Sequence, residues 1–241
     1  MPSAEALKLH ENRLLRALPA TELTRLSPYL KRIKMPLGQV ICESGKPMYH
    51  VYFPTNSIVS LLYVLENGES AEIAVIGNEG IVGISPFMGG GTTTSTAVVQ
   101  SSGYAYRLEG QLLKDAFWRA GPLQLLLLRY TQALLTQISQ TAVCNRHHRV
   151  EQQLCRWLLL STDRLSSNEL SMTQDSIANV LGVRRECVTL AAGNLQSAGL
   201  ITYKRGKITV VDRRRVEARV CECYRIVRAE FDRLLPKQQV F

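Results

Sequence analysis

The sequence predicts an α+β chain of two domains joined by a long helix. Three observations predict it. Short runs rich in Val, Ile, Tyr and Thr, punctuated by Gly and Pro, fill residues 35–108. Turn signals recur along them as in a β-sandwich or barrel. A leucine-rich stretch with three-and-four spacing follows, which is helical periodicity. Then "IANVLGVRRECVTLAAGNL" sets a glycine between two helical patterns and opens the second with Arg184, Arg185 and Glu186.

"ENRLLRALPATELTRLSPYLKRI" spaces its leucines as short helices, so residues 5–34 read as helical, with Thr21 and Glu22 after Pro19 marking one start. Strands are expected in "QVICESG", "HVYFPTNSIVSLLYVLENG", "ESAEIAVIG" and "TSTAVVQSSGYAYRL", with "ENGES" as a hairpin turn and "MGGGTTTST" as a loop. "EGQLLKDAFWRAG" is a short helix that Gly121 ends, and Pro122 suits the first turn of the next.

That next helix carries Leu123, Leu126, Leu127, Tyr130, Leu134, Gln137, Ile138 and Thr141 as an apolar stripe. Its leucines nearly encircle the first turns. One face suits the β-domain and another a second copy of the chain; an ordinary core helix has the same pattern. "RHHRVEQQLCRWLLLSTDRL" is a helix with Val150, Leu154, Trp157 and Leu158 inward, and "SSNELSM" a loop or short strand. "LITYKRGKITVVD" is a hairpin turning at Arg205-Gly206, and "VEARVCECYRIVRAEFDRLL" is one closing amphipathic helix. The expected boundaries are 1–121, 122–145 and 146–241.

The chain has 241 residues and a formal net charge of +9. Residues 142–241 hold 17 Lys and Arg against 10 Asp and Glu, whereas no Lys or Arg lies between Lys46 and Arg107. A basic C-terminal part points to a polyanion partner. The leucines of the N-terminus are interrupted by charges, unlike a secretory signal, and no run approaches a membrane span, so the expected location is cytoplasmic with no membrane partner. The six cysteines match no disulfide framework and no paired zinc motif, and they read as reduced thiols. Cys221-x-Cys223 could bind metal or oxidise, but a lone C-x-C is weak evidence; no metal site is assigned. Nucleophile elbow, P-loop and catalytic Cys/His patterns are missing with their contexts, so no enzyme is expected.

Thr173 is a suitable N-cap for a helix over 174–181, Gly182 stands at a sharp turn, and Val188 pins the following helix. Ala178, Gly182 and Val188 fall at positions 5, 9 and 15 counted from Gln174. A helix-turn-helix needs that spacing: a small residue at the crossing, a glycine in the turn, and a branched apolar residue under the second helix. The start of that second helix would enter a major groove of double-stranded DNA. Arg184 and Arg185 can bond guanine O6 and N7, and Glu186 can accept from cytosine N4. Thr173, Gln174 and Thr189 are placed for phosphate or neighbouring bases. Lys204, Arg205 and Lys207 form a basic wing for the backbone.

"MTQDSIANVLGVRRECVTLAAGNLQSAGLI" resembles the DNA-binding domain of the Crp/Fnr superfamily of bacterial transcription regulators. "MPLGQVICESGKPMYHVYFPTNSIVSLLYVLENGESAEIAVIGNEGIVG" resembles the same family's cyclic-nucleotide-binding-like domain, with Gly38, Gly45, Gly68 and Gly77. The resemblance runs from about residue 12 to residue 212. It implies an N-terminal jelly-roll β-barrel, a long dimerisation helix and a C-terminal winged helix-turn-helix, in a homodimer on a near-palindromic site with RNA polymerase as a further partner. In the family an Arg-Glu pair and a later arginine read the bases. Arg185 and Glu186 match the pair, and Leu190 stands where the later arginine is expected.

The resemblance also implies an effector pocket at Gly77, Glu79, Gly80, Thr93 and Thr94. Nucleotide-binding members hold the cyclic phosphate with an arginine, and this stretch has none. A phosphate buried without a cation is costly. Cyclic AMP is therefore not the expected effector, Glu79 reads as a structural residue of its loop, and the effector stays unknown. The alternatives left open are an atypical cyclic-nucleotide pocket and a module for protein contacts without specific DNA readout. An oxygen-sensing iron–sulfur cluster needs four thiolates, mostly N-terminal, and only Cys42 precedes residue 144. A haem needs an axial ligand; His10 and His50 are lone histidines, and His147-His148 is placed at the domain interface or the DNA backbone. No cofactor is expected.

Overall fold

The computed structural model describes residues 9–165 and 167–235. The start of the expected N-terminal helices and the last six residues of the C-terminal domain lie outside them, as does one residue of the "SSNELSM" loop.

Two short helices open the chain, α1 (Arg13–Arg16) and α2 (Ala20–Leu26). Asn12 caps α1, its side chain accepting from the backbone of Leu14 and Leu15. A single 3-10 turn over Ser27–Tyr29 ends the helical part. Residues 31–34, expected as helix, are instead in β1 (Lys31–Met35), paired antiparallel with β7 (Gly103–Glu109). Pro28 stops the helix, and the partner strand lies some seventy residues on, beyond the reach of local periodicity.

The β-domain holds two antiparallel sheets. One is β1-β7-β3, with β3 at His50–Pro54. The other is β2-β6-β4-β5, comprising β2 (Val40–Cys42), β6 (Thr96–Ser101), β4 (Ile58–Val64) and β5 (Ser70–Ile76). The β4–β5 turn falls at "ENG", where Gly68 takes φ +86°. Met35, Val59, Ile76, Val82 and Val99 fill the space between the sheets. A short α3 (Ser85–Met88) and then α4 (Gly110–Trp118) flank the barrel, with Phe87 and Phe117 stacked at 5.1 Å.

The long helix α5 runs Pro122–His147, with Pro122 in its first turn. Leu123, Leu126, Leu127, Tyr130 and Leu134 are buried within the chain itself, and Ile138 is half-buried. The Tyr130 hydroxyl donates to Ile81 O at 2.9 Å, and Gln137 donates to Val75 O at 3.0 Å. Of the two faces expected on this helix, the stripe of those six residues is the one that packs on the chain's own β-domain and C-terminal helix. The outward seam instead carries Leu125 (45% exposed), Leu128 (46%) and Leu135 (52%). With exposed Gln132, Ser139 and Ala142 they alternate three and four apart, the spacing of a coiled-coil seam.

The C-terminal domain begins with α6 (Val150–Thr162), whose Leu154, Trp157 and Leu158 are buried. Full burial of each such side chain stabilises by about 1.5–3 kcal/mol. It continues with β8 (Glu169–Ser171), α7 (Gln174–Leu181), α8 (Arg185–Ser197), β9 (Ile201–Lys204) and β10 (Lys207–Val210), in a sheet ordered β8-β10-β9. The closing helix is not single. It breaks into α9 (Arg213–Arg219) and α10 (Glu222–Leu234), because Val220 and Cys221 take extended backbone and Cys221 becomes the N-cap of α10. The break turns α10 back onto α5, where Phe231 meets Tyr130 edge-on at 6.4 Å. Tyr224 anchors it by donating to Asp163 at 2.9 Å. Among the described residues no helix is long and apolar enough to cross a membrane.

Candidate DNA-binding interface and sensor pocket

The helix-turn-helix is built from its smallest residues upward. Thr173 caps α7 by accepting from Ser176 N at 3.1 Å, a bond worth about 1 kcal/mol. Gly182 ends α7 with φ +65°, a conformation that costs side-chain-bearing residues strain. Ala178 and Val188 are buried where the two helices meet. Thr189 locks the pair by donating to Gln174 Oε1 at 2.7 Å. Arg184 is the N-cap residue of α8, and Arg185 and Glu186 are its first two residues. All three are exposed on one end of the helix. Arg185 lies 3.5 Å from Asp175, a loose surface pair that holds the guanidinium with little energy. Leu190 projects one turn further on and is 68% exposed.

The wing is a two-residue hairpin, with Lys204 opposite Lys207. Arg205 and Gly206 both take positive φ, +51° and +76°, as a type I′ turn demands. Lys204 and Arg205 are exposed, and Lys207 pairs with exposed Glu169 at 2.9 Å. The structure thus brings Arg184, Arg185, Glu186 and Thr189 to one surface, with the wing beside the same domain. Thr173 and Arg205 stand apart in one respect. They border a cleft of about 540 Å³ between the domains, facing Leu37, Val98 and Gln100 of the β-domain. The turn of the helix-turn-helix rests on β5: a Cβ at Gly182 would come within 3.3 Å of Ala71.

The five residues expected to form one effector pocket separate into two groups. Thr93 and Thr94 line a cavity of about 300 Å³ with Tyr63, Ile73, Leu134 and Ile138. Among the described residues no charged side chain lines it. The Tyr63 hydroxyl bonds the Thr94 hydroxyl at its rim. Gly77, Glu79 and Gly80 lie elsewhere, and the expectation is corrected for them. Glu79 is buried and accepts from Arg164 Nε at 2.7 Å. Arg164, just past α6, also donates to Leu160 O at 2.6 Å and to Gln137 Oε1 at 2.8 Å. The loop must be glycine-rich because its neighbours press on it. A Cβ at Gly77 would meet the Arg164 stem at 2.6 Å, and one at Gly80 would meet the Tyr130 ring at 2.6 Å. Glu79 is therefore a structural residue, but of the domain junction, and its partner lies 85 positions away.

A second buried acid belongs to no sequence motif. Glu72 on β5 is buried, with Ser60 donating to it. Burial pushes its carboxyl up to about 7, against the opposing pull of the Ser60 hydroxyl, Arg156 and Arg164. The only signal in the sequence is that Glu72 is the one charged residue of β5, whose last four residues are all apolar.

Two family models match the chain: a cyclic nucleotide-binding domain over residues 32–119 and a Crp-like helix-turn-helix domain over residues 152–219. No curated protein matches its sequence. Among solved structures, FixK2 from Bradyrhizobium japonicum is similar with a TM-score of 0.66 at 16% identity, covering 80% of this chain and 98% of that one. A putative Crp/Fnr transcriptional regulator from Eubacterium rectale reaches 0.68 at 18% identity, covering 87% and 98%. The c-di-GMP-responsive global regulator CLP of Xanthomonas campestris reaches 0.61 at 15%, covering 80% and 99%. With a cyclic nucleotide-binding domain, a long helix and a Crp-like DNA-binding helix-turn-helix in that order, the chain belongs to the Crp/Fnr family of transcription regulators.

Proposed function

We propose that the protein is a homodimeric, sequence-specific DNA-binding regulator whose sensor pocket takes a small uncharged ligand and not a cyclic nucleotide. One observation carries the DNA reading: Arg184, Arg185 and Glu186 stand exposed together at the start of α8, beside a basic wing. Arg185 is assigned to a guanine and Glu186 to a cytosine N4. Leu190, exposed where the family's second base-reading arginine is expected, suits a thymine methyl. Thr173, Gln174, Thr189, Lys204, Arg205 and Lys207 are assigned to the backbone. Gln174 is partly engaged by Thr189, and that bond orients it.

The seam of Leu125, Leu128 and Leu135 supports pairing of two α5 helices about a two-fold axis. Two recognition helices would then enter successive major grooves about 34 Å apart on a near-palindromic site. RNA polymerase is the further partner assigned by family likeness. The pocket reading rests on its lining: an apolar wall with threonine hydroxyls and no cation leaves a buried cyclic phosphate uncompensated.

The test is selection of duplex DNA from a random pool by the purified, ligand-free full chain. Enrichment of a palindrome with half-sites one turn apart is expected. Salt-sensitive binding without any enriched sequence, both alone and with cell extract added, would refute the regulator reading.

A further inference from the structure

Cys144, His148, Cys221 and Cys223 are scattered in sequence and match no linear metal-ligand motif. The fold joins them. Cys144 and His148 stand four residues apart at the end of α5, and so share a face. Cys221 and Cys223 open α10, brought there by the break after α9. Their ligand atoms all lie within 4.8 Å of one another. Cys144 Sγ is 3.5 Å from Cys221 Sγ, and Cys223 Sγ is 3.6 Å from His148 Nδ1. All three cysteines are buried and His148 is nearly so.

A tetrahedral zinc ion about 2.3 Å from sulfur and about 2.0 Å from nitrogen sets its ligands roughly 3.5–3.8 Å apart. The Cys144–Cys221 and Cys223–His148 separations are close to that edge, and every other pair of ligand atoms lies within 4.8 Å. A polynuclear iron–sulfur cluster spreads its four ligands over two or more irons and would hold those on different irons further apart. Thiolate with imidazole is also the donor set that selects zinc.

The surroundings point the same way. His148 Nε2 lies 3.4 Å from Glu222 Oε2 while Nδ1 faces Cys223. A ligating histidine commonly keeps its second nitrogen on a carboxylate in this manner. Gln153 donates to His148 O at 2.9 Å and to Cys144 O at 3.5 Å, holding the end of α5. Arg156 is buried close enough to act electrostatically on Cys144; it donates to the Thr141 hydroxyl at 3.0 Å and its Nε has no hydrogen-bond partner among the described residues. Three thiolates, a neutral imidazole and Zn²⁺ carry one net negative charge, which such a cation offsets.

We infer that Cys144, His148, Cys221 and Cys223 form a structural zinc site that ties the end of the long helix to the C-terminal helix. The site lies at the junction of α5 and α6, where the DNA-binding domain leaves the long helix. A bound ion would fix that junction.

The experiment measures metal in the full-length protein purified under reducing conditions from zinc-supplemented cells. About one zinc per chain is expected. Replacement by cobalt should give a thiolate-to-cobalt charge-transfer band and the intense visible bands of a tetrahedral ion. C221S and C223S should lose both signals, while C42S and C187S, outside the cluster, keep them. E222Q should weaken zinc binding by about tenfold while leaving stoichiometry intact at saturation. Circular dichroism of each variant checks that it folds. Because a variant can fail to fold, titration of cobalt into the metal-stripped native chain stands as an independent measurement. No cobalt spectrum there, full metal retention in folded C221S, an iron–sulfur chromophore, or a Cys144–Cys221 disulfide in place of metal would each overturn the inference.

Discussion

Replacing Arg164 with Ala should destabilise the protein more than any surface arginine substitution. The Arg164 and Glu79 side chains are each only 5% exposed, and Nε lies 2.7 Å from the carboxylate. Without the guanidinium, Glu79 keeps only the long bonds from Gly77 N at 3.2 and 3.4 Å. Removing one partner of a buried pair costs about 3–5 kcal/mol, most of it the uncompensated charge. Gln137 Oε1 and Leu160 O lose donors as well, adding about 1 kcal/mol each where water does not reach them. The expected loss is therefore about 4 kcal/mol or more. R164A/E79A removes the stranded charge with its partner, so the double variant should be more stable than the sum of the singles by about 2 kcal/mol or more. Urea unfolding followed by circular dichroism reads both quantities. Because the pair bridges the β-domain loop and the DNA-binding domain, R164A should also separate one unfolding transition into two. A loss below about 1 kcal/mol, or additive single effects, would refute the assignment of this pair as the junction latch.

Glu72 has its carboxyl raised from 4.5 to about 7 in the fold, so the native state holds its proton more tightly than the unfolded chain. Its contribution is most favourable below about pH 4.5 and is lost as pH rises toward 7. E72Q should remove that dependence and raise stability at pH 8 by at most about 3 kcal/mol, measured as urea midpoints at pH 5 and pH 8; an unchanged pH dependence would contradict it. L128D/L135D should give a monomer by sedimentation with at least about tenfold weaker binding to a full palindrome, whereas a variant that stays dimeric would move the interface elsewhere. R185A should cost about 1–3 kcal/mol at one base pair and relax preference there, and equal loss on all sequences would remove it from base readout. K207A should weaken all duplexes alike and reduce the salt slope by about one, as a phosphate contact does.

The parts of the fold written in local spacing were legible in the sequence. Ala178, Gly182 and Val188 sit at fixed offsets, so the helix-turn-helix could be placed to the residue. The hairpin at Arg205-Gly206 is equally local. The face of α5 was not legible, because leucines occur all round its first turns and period alone does not say which side meets solvent. The break between α9 and α10 has no proline or glycine to announce it. Glu79 was recognised as structural, but its partner Arg164 lies 85 positions away in the other domain. The four-residue thiol and imidazole cluster escaped for the same reason, since Cys144 and Cys221 are 77 positions apart. Long-range pairing is set by topology, and one sequence shows only the ends of such pairs.

Strand β5 offers a physical route between the pocket and the recognition helix. Ile73 and Ile76 on it line the cavity of about 300 Å³. Ala71, on the same strand, touches the turn of the helix-turn-helix at Gly182, and α7 packs along it. Glu72 lies between these, buried and under the field of Arg156 and Arg164 from the DNA-binding domain. A ligand that filled the cavity against Ile73 would press on the strand that seats α7. Its effect on DNA affinity would be bounded by the difference between its affinities for the DNA-free and the DNA-bound protein. By linkage, DNA must change ligand affinity by the same factor. A tightly bound ligand with no such difference would stabilise the β-domain and leave operator binding unchanged, so thermal protection by a compound does not identify the effector. The ligand that matters is the one whose affinity shifts when operator DNA is present.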